Sequence, residues 1–220
     1  MALPTLLQVL EKKIHKNEVG VGYVLRAQPC IFALKQWINE GHLGHLRFGT
    51  ISTGQYLPAW RPDVDYRKTV SAIRELGGGV ARELSHELDL AQYLFGELTL
   101  IDRHLDKLSD LDIDTEDFVN YRFRSKTAAI VLVTVDFIQR STSMELKIVG
   151  ANGTLFGDLV SEKFKFVDEA GDEVTLPLPR TKDWGSNYTC QVRSLMGNKP
   201  LCSVLEASKL VPFFDTREAI

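Results

Sequence analysis

The sequence predicts an α+β fold, an open and mainly antiparallel sheet with helices on one face, and three observations carry that prediction. From about residue 98 the hydrophobic period changes to two. In FVNYRFR (118–124) Val119, Tyr121 and Phe123 alternate with polar residues, IVLVTVDF (130–137) puts Val131, Val133, Val135 and Phe137 on one face, and SMELKI (143–148) repeats the pattern. Short turn signals, Gly150 to Gly153 and Asp168 to Asp172, separate such runs, so neighbouring strands pair antiparallel. One face of each run is apolar and the other mixed, so helices are needed on one side only.

The elements follow in order. Leu3, Leu6, Leu7, Leu10 and Ile14 keep a helical repeat, and the charges Glu11, Lys12 and Lys13 come after the apolar part, the reverse of a signal peptide. Val19 to Leu25 is short, apolar and β-rich, as a buried strand is. Pro29 suits a first helical turn, and Ile31, Leu34, Trp37 and Ile38 share the face of the helix that follows, with Gly41 and Gly44 at its exit. Residues 45–56 read as a strand. Residues 57–76, rich in Pro, Asp, Arg and aromatics, form a long irregular segment of the kind that carries function. A helix after Gly77–Gly79 buries Leu84, Leu88, Ala91 and Leu94 or Phe95. Phe164 and Phe166 alternate with Lys163 and Lys165, and two helices between about Trp184 and Thr216 return to the covered face. The first helix and strand stand apart, as though part of another unit.

Composition narrows the function. The 220 residues are 44% hydrophobic and 25% charged, with a formal net charge of -3. That is ordinary for a globular protein and lacks the basic excess of a nucleic-acid binder. No apolar run approaches the ~20 residues that span a bilayer, so neither nucleic acid nor membrane is an expected partner. Cys30, Cys190 and Cys202 are odd in number and irregular in spacing, which fits reduced thiols in a cytoplasmic protein. The sequon Asn187-Tyr188-Thr189 is then a chance match.

Several residues could carry chemistry. Gly20-Val21-Gly22 has two glycines of a dinucleotide fingerprint, but Leu25 occupies the place of the third. Gly77–Gly79 are not a P-loop, since no Lys-Ser/Thr follows. They give backbone clearance before a helix, and could also leave its N-terminus open to an anion or a substrate hydroxyl. His86 has Glu83 three residues before it and Asp89 three after, a spacing that suits an acid/base imidazole and equally a solvated helix face. Ser85 is adjacent to His86, and neighbours on a helix point about 100° apart, which discounts a hydrolase pair. His42 and His45 lack further metal ligands nearby and fit a helix-to-strand turn. Arg26, Trp60, Arg61, Asp63, Asp65, Tyr66 and Arg67 mix planar donors, carboxylates and aromatic faces. Such a set suits a polyhydroxylated or anionic small molecule, or a surface ion-pair cluster.

With these pieces assembled, the chain resembles the C-terminal half of the glucose-fructose oxidoreductase/inositol dehydrogenase (Gfo/Idh/MocA) family. The matching segments run from Val21 to Arg26 with Pro29, Ile38 to Gly41 with Leu43-Gly44, Trp60-Arg61-Pro62 with Asp65-Tyr66, Gly77 to Val80, Ser85 to Asp89, Leu94 to Gly96, and Ile148 to Leu155. The resemblance implies a substrate-binding and oligomerisation domain over residues 26–220. It implies that residues 1–25 are the last helix and strand of a Rossmann domain whose remainder is absent. It also implies NAD or NADP as cofactor, with binding by this chain alone in question, and a sugar, sugar nucleotide or cyclitol as substrate. His86 takes the family's acid/base position. Glu83 takes the supporting acid's place counted from the glycines, whereas four residues before the His lies Arg82. Arg26, Tyr56, Trp60, Arg61 and Tyr66 are expected on the substrate side. No metal is implied. The glycine fingerprint and the Glu-Lys-Pro segment of the family are missing. The expectation is therefore the substrate-binding half of an NAD(P)-dependent oxidoreductase, incomplete alone, forming homo-oligomers through its open sheet face. The alternative is a non-catalytic module docking on a full-length relative.

Overall fold

The computed structural model of the chain describes residues 19–197 and 199–214, and the expected first helix lies outside them. Eight strands form one sheet: β1 (Leu46–Gly54), β2 (Leu98–Asp106), β3 (Phe118–Ser125), β4 (Ala128–Asp136), β5 (Ser143–Gly150), β6 (Gly153–Asp158), β7 (Lys163–Asp168) and β8 (Glu173–Leu176). Their spatial order is β2-β3-β4-β1-β5-β6-β7-β8. Two antiparallel meanders flank β1, which pairs parallel to β4 and antiparallel to β5. The α+β architecture expected from the sequence is the one observed.

The period-two runs explain which face is covered. Tyr121 pairs with Val133, Val133 with Ile51, and Ile51 with Leu146, giving a continuous buried row across four strands. Helices α1 (Pro29–Asn39), α2 (Val80–Glu83), α3 (Ser85–Phe95), α4 (Trp184–Met196), α5 (Val204–Ser208) and α6 (Val211–Phe214) complete the described elements. On α1, Ile31 and Leu34 are fully buried and Trp37 meets Phe166 of β7 edge to face, while Phe213 of α6 packs on Phe123 of β3. The other face of the sheet carries Thr50, Ser52, Lys147, Phe156 and Lys165 and has no helix of the described residues over it. It holds a shallow trough of ≈ 620 Å³. Among the described residues no helix is long and apolar enough to cross a membrane.

Two local expectations are corrected. Val19 to Leu25 is not a strand. Gly20 makes a single bridge to Ser203, Val21 N–H donates to the Cys202 carbonyl at 2.9 Å, and a 3₁₀ turn follows over Val24–Ala27. Two glycines weaken the extended conformation, and the pairing available to the segment is one residue of the C-terminal stretch. Leu25 belongs to the same core as the sheet. The expected helix after Gly79 is broken at Leu84 (φ -100°, ψ 31°) into α2 and α3, although its buried stripe is as expected.

α3 is seated on the sheet by one close approach. A Cβ at Gly49 in β1 would overlap the ring of Phe95, which is fully buried. Gly49→Ala should lower stability by about 1–3 kcal/mol through overpacking. Urea unfolding checks this, and an unchanged midpoint would mean that Phe95 does not rest there.

Candidate functional site

The triple glycine is a device for backbone clearance. Gly77 has φ 87° and Gly79 φ 110°, conformations that a side chain strains. A Cβ at Gly78 would overlap the Val70 carbonyl, and one at Gly79 would overlap the Glu116 carboxylate. The amides that an anion would need are already engaged. Gly78 N–H donates to Ile73, Gly79 N–H to Ser71, Val80 N–H to the Glu116 carbonyl, and Ala81 N–H to Glu116 Oε1. A carboxylate caps this helix end, so these residues do not fit a pyrophosphate. Neither does Gly20-Val21-Gly22, which lies on no strand-to-helix turn.

The start of α3 is fixed by a buried ion pair. Arg26 grips Asp89 with two parallel hydrogen bonds, Nε to Oδ2 at 2.9 Å and Nη2 to Oδ1 at 2.8 Å, and both side chains are almost wholly buried. Its Nη1 donates to the Leu201 carbonyl at 2.7 Å and to Glu206 at 3.1 Å. Glu206 also closes a capping box with Ser203 at the start of α5. Three remote segments thus meet at one guanidinium. Beside it lies Cys202, whose Sγ is 3.6 Å from Asp89 and whose thiol is pushed up to about 12 by burial and the nearby carboxylate. Cys30 is pushed up to about 12, again chiefly by burial. Both therefore stay as thiols at neutral pH, not nucleophilic thiolates.

Next to this junction a cleft of ≈ 850 Å³ opens. Its walls are the 3₁₀ segment at Tyr23–Leu25 with Gln28, the end of β1 at Thr53 and Gln55, Trp60, the turn Glu83–His86, and the loops Thr142–Met144, Leu159–Glu162 and Arg180–Trp184. Four buried polar atoms on these walls have no hydrogen-bond partner among the described residues: Gln28 Oε1, Thr53 Oγ1, Trp60 Nε1 and Thr181 Oγ1. Buried polar groups are nearly always paired, so a cluster of unpaired ones on one cleft marks a place where a polar ligand or water completes them.

His86 lies on the same wall, with about a third of its side chain exposed. Its Nε2 is 2.9 Å from Oε2 of Glu87, which is fully buried. Burial by itself lowers the imidazole pKa. The charge of Glu87, its contact with the ring, the charge of Asp89 and the Glu83 backbone carbonyl outweigh it, and the pKa stands raised above 6.5. His86 can hold a proton and release it into the cleft.

The structure brings His86, Glu83 and Trp60 together on this cleft. Glu83 offers its backbone carbonyl to His86, while the carboxylate against the ring is that of Glu87. The other expected residues lie elsewhere. Arg26 is occupied by Asp89, Leu201 and Glu206 below the cleft. Tyr56 carries the Arg140 guanidinium 3.7 Å above its ring. Arg61 and Tyr66 line a separate small cavity with the other edge of Trp60, and the Tyr66 hydroxyl accepts from Asp112 N–H at 3.2 Å. Gln28, Thr53, Thr181 and Glu87 escaped the sequence reading. Three of them are ordinary polar residues in separate segments, with no spacing to join them. Glu87 is adjacent to His86, where helix geometry argues against pairing.

Removing the guanidinium should be costly. Arg26→Met leaves Asp89 buried without its partner and should lose about 3–5 kcal/mol. Thermal and urea unfolding check this, and a loss near zero would mean the ion pair does not bind the three segments together.

Comparison with known proteins follows the geometry. The model of the GFO/IDH/MocA C-terminal domain matches residues 31–156. No curated protein matches significantly. Solved structures do. An oxidoreductase from Agrobacterium radiobacter, in complex with NAD+, L-tartaric acid and magnesium, is 16% identical with a TM-score of 0.75, over 97% of this chain and 65% of that one. Aldose-aldose oxidoreductase from Caulobacter crescentus, complexed with glycerol, is 17% identical with a TM-score of 0.75, over 97% and 64%. UDP-N-acetylglucosamine 3-dehydrogenase from Acidithiobacillus ferrooxidans is 10% identical with a TM-score of 0.69, over 96% and 63%. The chain therefore spans less than two thirds of the length of these structures. With the sheet, the glycine-opened helix and the family model agreeing, the chain belongs to the GFO/IDH/MocA family and has the fold of its C-terminal domain.

Proposed function

We propose that the chain is the substrate-binding half of an NAD(P)-dependent oxidoreductase acting on a sugar, sugar nucleotide or cyclitol. The carrying observation is the convergence of four unpaired buried polar atoms on the cleft that His86 lines. A donor on Trp60, an acceptor on Gln28 and two hydroxyls on Thr53 and Thr181 suit the hydroxyls of a polyol, each of which both donates and accepts. In this reading Trp60, Gln28, Thr53 and Thr181 orient the substrate. His86 holds or moves the proton at the hydroxyl that becomes a carbonyl. Hydride transfer is the chemistry that NAD(P) supplies in such enzymes. The helix end that could have held its pyrophosphate is closed by Glu116. In this reading the described residues supply the substrate side of the site, and the cofactor is held elsewhere.

A 15N-labelled chain tests the reading. The Trp60 indole N–H resonance, assigned by Trp60→Phe, should shift saturably with at least one of a panel of aldoses, cyclitols and UDP-sugars. Thr53→Val should weaken that binding about tenfold, the equivalent of about 1.4 kcal/mol. NADH and NADPH should not bind the chain alone, as followed by nicotinamide fluorescence. A panel that leaves Trp60 unmoved up to about 10 mM would contradict the reading.

A second reading has its own observation. The helix-free face of the sheet places Phe156 in one trough with Lys147, Lys165, Glu145 and Glu173, an apolar ring beside charges of both signs. That composition suits a second copy of the same face, or a full-length relative on which the chain docks without catalysis. Sedimentation at micromolar concentration should give a dimer or larger species that Phe156→Glu dissociates. A monodisperse monomer would rule out the self-associating form.

A further inference from the structure

We propose that Glu87 is the positioning residue for His86: its buried carboxylate holds one edge of the ring and keeps the imidazole in the proton-donating form. This rests on the reading of His86 as the proton-handling residue of the cleft.

Glu87 is fully buried, and neither of its carboxylate oxygens has a hydrogen-bond partner among the described residues. An ionised carboxylate in such a place is costly unless a positive charge compensates it. The other buried acid on the same helix, Asp89, has Arg26. Glu87 has His86, with Nε2 at 2.9 Å, close enough for an ion pair though not aligned as a hydrogen bond. The two side chains diverge from adjacent positions, so one sits inside the protein while the other keeps a third of its surface in the cleft.

The surroundings of the ring point the same way. The Glu83 carbonyl accepts from the ring and the Glu87 carboxylate lies within ion-pair reach of Nε2, and both favour the charged imidazole. Asp89, itself paired with Arg26, also favours the charged ring, but less than Glu87 does. The remaining titratable groups on the cleft walls are Tyr23, Glu162, Arg180, Lys182 and Asp183, together with the Glu83 carboxylate. Glu162 accepts from Thr181 N–H and Asp183 caps α4, so both have local partners. Glu87 thus does here what the sequence assigned to Glu83.

The test is an NMR titration of the His86 imidazole in the full chain, with the resonance assigned by His86→Gln. In the unmodified chain His86 should titrate above 6.5, the ordinary value. In Glu87→Gln, which keeps shape and removes the charge, it should fall by about one unit or more, and Glu87→Asp should recover part of the fall. A titration at or below the ordinary value in the unmodified chain would overturn the proposal, whether or not the variants fold. An unmoved titration in folded Glu87→Gln would do the same. The two readings fail separately. A raised His86 in a cleft that binds no polyol keeps Glu87's role and removes the substrate assignment. Polyol binding with an ordinary His86 removes Glu87's role alone.

Discussion

The architecture of the site depends on the contact of Arg26 with Asp89. The chain's first described residues have no strand to join, and its last helices are short. Neither would hold a defined place by secondary structure alone. A guanidinium with five fixed donors solves this by taking a carboxylate from α3, a carbonyl from the C-terminal stretch and a second carboxylate from the cap of α5. The Gly20–Ser203 bridge and the Val21–Cys202 hydrogen bond then run alongside. The helix that bears His86 is pinned from below by this junction and from the sheet side by Phe95 on Gly49. What remains free to meet a ligand is its first turn.

That first turn is specialised by where its hydrogen bonds go. A helix that opens on glycines usually leaves backbone N–H groups pointing outward, and these attract anions. Here Ile73, Ser71 and Glu116 take them, and Glu116 brings a negative charge to the end where a phosphate would sit. The break at Leu84 then starts a second helix whose opening residues, Ser85 and His86, face the cleft. Bare backbone amides give way to side-chain chemistry: an imidazole backed by a buried acid, opposite an indole N–H and two hydroxyls.

The sheet was legible because its signal is local. Alternation in FVNYRFR, IVLVTVDF and SMELKI carries strand and face together, and Val119, Tyr121 and Phe123 are all fully buried as the pattern requires. His86 and Trp60 were legible through the family pattern around them. The rest of the cleft wall was not. Thr53, Gln28 and Thr181 are drawn together by tertiary structure from segments far apart in sequence, and each alone is an unremarkable polar residue. Arg26, expected on the substrate side, is instead engaged within the fold. Its chemistry suits a ligand, and nothing in the sequence says that Asp89 and Glu206 would claim it first. Val19 to Leu25 has the composition of a strand, but a strand needs a neighbour, and pairing is not written in composition.

The most direct test of the account is a crystal structure of the chain soaked with an aldose or a UDP-sugar. The account predicts the polyol in the cleft beside His86, with its hydroxyls on Trp60 Nε1, Thr53 Oγ1 and Gln28 Oε1. A ligand bound elsewhere, or a cleft in which ordered water alone satisfies these atoms at saturating sugar, would contradict it.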